Sequence, residues 1–180
     1  MSEKKINKRI VLAGAPGTGK TSVINELKKK NFYCFEEAAR DIFDEFKLKG
    51  LEFKTNPVGI SKNIFKKRKL DFESADQLEC KQNIIFFDRG IHEVTAYLRS
   101  IGNSSNYWDN LPSKYKYDLI FIFEPWKEIY KKDDNRNEDF SDVKKISPFI
   151  ISIYEQSGIK MIKVPNINIE ERVKFILDKI

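Results

Sequence analysis

The stretch Gly14-Ala15-Pro16-Gly17-Thr18-Gly19-Lys20-Thr21 decides the fold of this chain. It matches the phosphate-binding pattern G-x-x-x-x-G-K-[ST] at every fixed position. Residues 9–13, before it, are apolar apart from Arg9 and predict a short buried strand, whereas residues 22–29 carry apolar side chains at helical spacing. A strand, a glycine-rich loop and a helix in this order form the context in which the pattern binds phosphate.

The residue types of this loop indicate how it would hold an anion. Its glycines let successive backbone N–H groups point inward, and the positive end of the following helix adds to the field. Lys20 can reach the β- and γ-phosphates, and the Thr21 hydroxyl can ligate Mg²⁺. We therefore predict that a nucleoside phosphate is bound by Gly14, Ala15, Pro16, Gly17, Thr18, Gly19, Lys20, Thr21 and Ser22.

The composition indicates a single soluble domain. A chain of 180 residues is long enough for one compact core. No apolar run is long enough to cross a bilayer, and residues 1–5 lack the apolar core of a signal peptide. Cys34 and Cys80 do not have metal-ligand spacing, so they are expected to be free thiols in a reducing cytoplasm. We therefore expect a cytoplasmic protein without a membrane partner.

The charge pattern does not favour a nucleic-acid partner. The formal net charge of +6 suits an anionic ligand of any kind. The densest basic cluster, residues 66–69, has no interleaved aromatic residues that could stack on bases. Such a run is typical of a solvated helix face.

The order of the predicted elements indicates an α/β domain with a parallel sheet. Five short apolar segments predict strands at 9–13, 31–35, 83–88, 118–123 and 159–164. Apolar residues at helical spacing predict helices over 22–29, 38–46, 58–80 with a bend near 69–72, 91–101, 141–156 and 169–180. Ligands of such sheets bind at the carboxyl ends of the strands.

The chain is predicted to contain one domain over residues 9–180, after a flexible N-terminus over residues 1–8. Nine of the ten residues of 131–140 are polar. This segment could be a lid that brings Arg136 to a transferring phosphoryl group, or simply a hydrophilic loop.

Polar side chains at the predicted strand ends are the candidates for chemistry. Asp88 ends an apolar strand where phosphate-loop proteins hold a carboxylate near Mg²⁺. Arg89 follows it and could contact phosphate or form an ion pair with Asp88 or Glu93. The one histidine, His92, has no partner at ligand spacing, and no role is assigned to it.

Glu37 and Arg40 are the candidates for the acceptor side. Glu37 could orient or deprotonate an acceptor hydroxyl, or it could be a first-turn glutamate that the helix dipole favours. Arg40 could hold an anionic group of the acceptor, or pair with Glu36 or Glu37.

A resemblance to a known family covers the chain from Arg9 to its end. It rests on blocks at 14–21, 35–40, 87–90, 123–130, 164–165 and 170–173. Together they resemble the small AAA-domain family of phosphate-loop ATPases and kinases that is similar to the nicotinamide riboside kinase domain. The first block is common to phosphate-loop proteins, and the later blocks make the resemblance specific.

The resemblance implies a three-layer α/β/α fold with a five-stranded parallel sheet in the order 2-3-1-4-5, as in nucleoside and nucleotide kinases. It implies acceptor-side roles for Glu37 and Arg40, a phosphate contact for Arg89 and a lid role for Arg136. The region of Pro165 is implied to lie near the nucleotide base.

The favoured prediction is an Mg²⁺-dependent kinase that transfers the γ-phosphate of ATP to a hydroxyl of a nucleoside-like metabolite. The catalytic candidates are Lys20, Glu37, Asp88 and Arg136, with Thr21 and Asp88 as metal ligands. The alternative is a nucleotide-dependent switch or regulatory ATPase without a small-molecule acceptor. The sequence leaves open ATP against GTP, the acceptor and the oligomeric state, although the guanine-reading Asn-Lys-x-Asp motif of small GTPases is absent.

Overall fold

The computed structural model describes residues 7–48, 50, 56–130 and 139–180, with the side chains of Arg40, Asp44 and Lys47 left out. The elements follow one another as β1 (Lys8–Ala13), α1 (Lys20–Lys29), β2 (Tyr33–Phe35), α2 (Ala39–Leu48), α3 (Pro57–Ser74), β3 (Ile84–Asp88), α4 (His92–Ser100), α5 (Asn106–Asp109), α6 (Leu111–Lys114), β4 (Leu119–Ile122), α7 (Phe140–Gln156), β5 (Met161–Lys163) and α8 (Ile169–Leu177).

The five predicted strands and the predicted fold class are confirmed. The strands form one sheet in the order β2-β3-β1-β4-β5, and every neighbouring pair is parallel. The central strands β1, β3 and β4 are almost wholly buried, because helices cover both faces of the sheet.

The alternation of side chains along β1 separates the two layers of helices. Val11 and Ala13 point to the face that packs against α4 and α7. Ile10 and Leu12 point to the opposite face, which α1 and α8 cover. A third apolar cluster, which α3 and α4 share with α5 and α6, lies beyond the first face. The result is the α/β domain with a parallel sheet that the residue patterns predict, in the three-layer α/β/α form that the family resemblance implies.

Several predicted boundaries are wrong. The helix predicted over 58–80 is α3, which runs without a break through 69–72 and ends at Ser74. It begins at Pro57, and the Asn56 side chain caps it by accepting a hydrogen bond of 3.0 Å from the N–H of Gly59. Of the N-terminal segment that is predicted to be flexible, residues 1–8, the structure describes only Asn7 and Lys8, so this prediction stays a prediction. The Asn7 amide is buried there and donates to the carbonyl oxygens of Ala75 and Leu78 at 2.9 and 2.7 Å.

Two predicted features lie wholly or mainly outside the described residues. They are the loop at 51–56, of which only Asn56 is described, and the lid segment at 131–140, of which 139–140 are described. Among the described helices, none has the length and apolar character needed to span a membrane.

Candidate functional site

The register of the sheet brings the phosphate-binding loop and Asp88 together. Leu12 in β1 lies opposite Asp88 in β3, two residues before the loop begins. The N–H of Arg89 donates to the Leu12 carbonyl oxygen at 3.1 Å, which extends the pairing by one residue. The carboxyl ends of two adjacent central strands therefore deliver the loop and the Asp88-Arg89 pair to the same edge of the sheet.

The loop has the backbone conformation that its glycines allow. Gly14, Gly17 and Gly19 have φ angles of 139°, 76° and 89°, a region that residues with a Cβ rarely adopt. Gly19 precedes the first residue of α1, so the N-terminus of that helix opens at the loop. This is the strand–loop–helix arrangement predicted from the sequence.

Lys20 is a buried cation that binds to the loop itself. It is 4% exposed, and its Nζ donates to the carbonyl oxygens of Gly14 and Ala15, both at 2.8 Å, and to Thr18 Oγ1 at 3.1 Å. Burial lowers the pKa of Lys20 to about 7, and the positive charge of Arg89 acts in the same direction. No carboxylate oxygen of the described residues lies within 4 Å of this ammonium group.

Thr21 and Asp88 form a pair that fits a magnesium ion. The Thr21 hydroxyl donates to Asp88 Oδ2 at 2.8 Å. The other oxygen, Asp88 Oδ1, is buried and has no hydrogen-bond partner among the described residues. Burial, followed by the charge of Glu37, raises the pKa of Asp88. A bound cation would satisfy the second oxygen and favour the ionised carboxylate, and Mg²⁺ needs only one or two protein carboxylates.

The structure brings Glu37 and Arg89 into direct contact. The Arg89 Nε forms an ion pair with Glu37 Oε2, and its Nη1 donates to Glu93 Oε2 at 2.8 Å and to the Gly14 carbonyl oxygen at 2.7 Å. Arg89 is thus held between α4, the phosphate loop and the residues that lead into α2. The ion pair with Glu93, one of the two alternatives for Arg89, is present, and Arg89 lines the cavity as well.

A second arginine, Arg68, also pairs with Glu37, and the sequence analysis did not identify it. Arg68 Nη2 donates to Glu37 Oε1 at 2.8 Å, and Arg68 Nη1 donates to the Gly90 carbonyl oxygen at 2.9 Å. Burial alone would raise the pKa of Glu37, but Arg89 and then Arg68 outweigh it and lower the pKa to about 2. Glu37 Oε1 also accepts from the N–H of Ala39 at 3.2 Å, so this side chain caps α2 as well.

The expectation that residues 66–69 form a solvated helix face is wrong for Arg68. Lys66 and Lys67 are exposed, but Arg68 is 6% exposed. The missed signal was its spacing, since Arg68 lies four and eight residues after Ile64 and Ile60, which face the core. A basic residue on the apolar stripe of a helix needs a buried partner, and here that partner is Glu37.

One cavity of about 660 Å³ connects these groups. Its floor is the phosphate loop with Asp88 and Arg89. One wall, which we call the α3 side, is formed by Glu37, Ala39, Phe43, Ser61, Ile64, Arg68, Glu93, Val94 and Tyr97. The opposite wall, the α8 side, is formed by Trp126, Ile129, Ile167, Asn168, Ile169 and Arg172. The α3 side combines paired charges with apolar surface, whereas the α8 side is mainly apolar and aromatic.

Other sequence candidates lie elsewhere or outside the described residues. The Arg40 side chain and Arg136 are outside them, so their predicted roles stay predictions. His92 is fully buried, stacks on Tyr154 with ring centroids 4.9 Å apart, and has no hydrogen-bond partner among the described residues at either ring nitrogen. Burial lowers the pKa of His92 to about 4, so the ring is neutral at physiological pH.

The fold and the loop define a phosphate-loop protein with the three-layer architecture of the nucleoside and nucleotide kinases. Residues 9–172 match the family model described as an AAA domain. The chain therefore belongs to this AAA-domain family. None of the proteins with a curated function matches it.

Solved structures share the fold at low sequence identity. Deoxyadenosine kinase from M. mycoides with bound dATP superimposes with a TM-score of 0.73 at 16% identity, covering 96% of this chain and 98% of that one. NadR in complex with NR gives a TM-score of 0.74 at 14% identity over 96% of this chain and 50% of that one. Thymidylate kinase from Candida albicans gives 0.69 at 18% identity, covering 97% and 91%.

Proposed function

We propose that this protein is an Mg²⁺-dependent kinase that transfers the γ-phosphate of ATP to a hydroxyl of an uncharged, nucleoside-like small molecule. The observation that carries the proposal is a continuous cavity of about 660 Å³, in which the phosphate loop lies between two chemically different walls. A cavity of this size falls within the range of small-molecule sites. The α8 side would take the nucleoside of ATP, and the α3 side would take the acceptor.

The phosphate loop would hold the triphosphate. Lys20 lacks a carboxylate partner in the described part of the chain, so an incoming phosphate would supply the anion that its ammonium group needs. Backbone N–H groups at the start of α1 would contribute further donors. Thr21 and Asp88 would ligate Mg²⁺, which neutralises developing negative charge when it is bound.

Glu37 would orient the acceptor rather than act as a strong base. With a pKa of about 2, its carboxylate is ionised at neutral pH but has little affinity for a proton. It can still accept a hydrogen bond from a hydroxyl and direct the oxygen towards the phosphate loop. Phosphoryl transfer passes through a loose transition state, so positioning matters more than early removal of the proton.

The charges on the α3 side favour an uncharged acceptor. Arg68 on this wall is paired with Glu37, and Arg89 on the adjoining floor is paired with Glu37 and Glu93, so two cations face two carboxylates. No further cation contributes to this wall among its described side chains, which exclude Arg40. An acceptor that carries its own phosphate would need a free cation, whereas a neutral hydroxyl compound would not. Deoxyadenosine kinase, a structural relative, acts on such a compound by its name.

Arg136 is proposed as a lid arginine. The described residues on either side of its segment, Tyr130 and Phe140, contact each other with ring centroids 5.3 Å apart. Ile129, directly before them, lines the cavity. We therefore propose that the segment which these residues flank brings Arg136 to the transferring phosphate.

The test is ATP consumption with Mg²⁺ across a panel of nucleosides, sugars and vitamins, with nucleoside monophosphates as the charged comparison. We expect a phosphorylated product from a neutral compound, identified by mass spectrometry. A product only from monophosphates would contradict the uncharged acceptor. Tight ATP binding without any product would contradict the kinase and favour the regulatory alternative.

A further inference from the structure

Arg172, in the first turn of α8, is a buried cation that the proposed mechanism does not use. The residue is 2% exposed and lines the cavity on the α8 side. Within the described part of the chain no carboxylate lies within 4 Å of it. A buried guanidinium without a carboxylate partner needs hydrogen bonds to other acceptors to be stable.

Its acceptors come from two segments that are far apart in the sequence. Arg172 Nη1 donates to the Thr18 carbonyl oxygen at 2.9 Å, within the phosphate loop. Its Nε donates to the Pro165 carbonyl oxygen at 3.2 Å, and its Nη2 donates to Asn166 Oδ1 at 3.3 Å. One planar group therefore joins the phosphate loop to the turn between β5 and α8.

Two aromatic rings lie against this guanidinium. Its central carbon lies 4.8 Å from the ring centroid of Trp126 and 5.5 Å from that of Phe123. Such cation–π contacts stabilise a guanidinium further when water is excluded. Trp126 lines the cavity, so the same side chain forms part of the α8 side and holds Arg172 in place.

Gly19 has no side chain, and this leaves room for the Arg172 guanidinium next to the phosphate loop. A Cβ at Gly19 would lie 2.9 Å from Arg172 Nη1, and the φ angle of Gly19 is 89°. In a trans peptide the C=O and the next N–H point in opposite directions. Because Arg172 binds the Thr18 carbonyl oxygen, the N–H of Gly19 must point away from Arg172.

We propose that Arg172 is a positioning residue, which fixes the Thr18–Gly19 peptide of the phosphate loop in the orientation that offers its N–H to phosphate. It acts through the Thr18 carbonyl oxygen and is anchored by the turn at 165–166. It contacts neither the transferring phosphate nor the acceptor. The inference rests on the proposed function only in that the loop binds a triphosphate.

Two probes separate this role from direct recognition of the nucleoside. Inorganic tripolyphosphate occupies a phosphate site but has no base or ribose, whereas ATP has both. For Arg172→Met we expect the dissociation constants of Mg-tripolyphosphate and MgATP to rise by similar factors of about tenfold. This is the size expected when one hydrogen bond from a charged group is lost. Arg172→Lys keeps the positive charge and one donor nitrogen, so its loss of affinity for both probes should be smaller. Isothermal titration calorimetry measures both.

The control variant is Lys174→Met, an exposed position on the same helix, which should leave both constants unchanged. A loss confined to MgATP would overturn the inference, because Arg172 would then recognise the nucleoside. Unchanged binding of both probes, with only a fall in stability to urea, would also overturn it.

Amide hydrogen exchange in the ligand-free protein provides a readout that requires no ligand. Peptides covering 14–21 should exchange faster in Arg172→Met than in the wild type and in Lys174→Met. Equal exchange would contradict the inference even if ATP binds. Conversely, a wild-type protein that binds neither probe would contradict the proposed function, while the exchange rates would still decide the role of Arg172.

Discussion

At the phosphate loop, a buried lysine faces backbone carbonyl and hydroxyl oxygens, whereas next to it Arg68 and Arg89 form ion pairs with the carboxylates of Glu37 and Glu93. Burial dominates the first environment and lowers the pKa of Lys20 to about 7. Ion pairing dominates the second and lowers the pKa of Glu37 to about 2. An unpaired cation is suited to binding an anion, and a paired cluster is suited to holding a shape. Loss of the first should therefore reduce binding, and loss of the second should reduce stability.

The largest effect is expected for Glu37→Gln. This change leaves Arg68 without its carboxylate and Arg89 with only one, so the free energy of unfolding should fall by about 3–5 kcal/mol. Urea unfolding measures it. The matched control is Glu36→Gln, whose carboxylate has a side-chain exposure of 74% and pairs with Lys28 at the surface. We expect a loss of at most about 1 kcal/mol there. Equal losses for both variants would contradict the paired-cluster interpretation.

Lys20→Met should reduce ligand binding without reducing stability, the opposite of what we expect for Glu37→Gln. Without its charged donor, the phosphate loop should bind MgATP about 100-fold more weakly, which corresponds to about 2.7 kcal/mol. The free energy of unfolding should stay unchanged or rise, because a poorly compensated buried charge is removed. Calorimetric titration and urea unfolding measure the two quantities. Lys29→Met, at an exposed position of the same helix, serves as the control. Normal MgATP binding by Lys20→Met would contradict the proposed role of Lys20 in binding the triphosphate.

The buried His92 should make the free energy of unfolding depend on pH. Burial lowers the pKa of His92 from 6.5 to about 4 in the folded protein. Between pH 6.5 and 4 the unfolded chain takes up a proton that the folded protein does not. The free energy of unfolding therefore decreases as the pH is lowered through that window. Linkage gives a loss of about 2 kcal/mol between pH 7 and pH 5.

His92 is the one histidine of the chain, so a variant isolates its effect. In His92→Phe most of the loss between pH 7 and pH 5 should disappear, as measured by urea unfolding at the two pH values. If the variant keeps the full loss, the titrating groups lie elsewhere.

The smallest effect is expected for Arg68→Lys. The variant keeps the positive charge but cannot donate in the fork geometry to both Glu37 and the Gly90 carbonyl oxygen. The free energy of unfolding should fall by about 1 kcal/mol, the value of one hydrogen bond. Lys66→Arg, two residues earlier and exposed, should change it by less than about 0.5 kcal/mol. If both changes had the same small effect, Arg68 would not need its bidentate geometry.

The described strands agree with the sequence prediction because their signal is local. Continuous apolar runs such as 119–122 occur where helices cover both faces of a parallel sheet. Helix ends were harder to predict. The polar and apolar residues after Ser74 resemble a further helical turn, but Asn7 binds the carbonyl oxygens of Ala75 and Leu78, and the chain leaves the helix. A contact between residues 68 positions apart is not visible in a local pattern.

The sequence by itself determined the phosphate loop, because eight contiguous residues contain the glycines, the lysine and the threonine that its conformation and chemistry require. Only the tertiary structure decided how the buried charges are paired. Arg68 meets Glu37 across 31 positions of the sequence, and Arg172 meets Thr18 across 154. The physical reason is that a turn is specified by its own residues. The partner of a buried charge is specified by which strand ends and helices the sheet brings together.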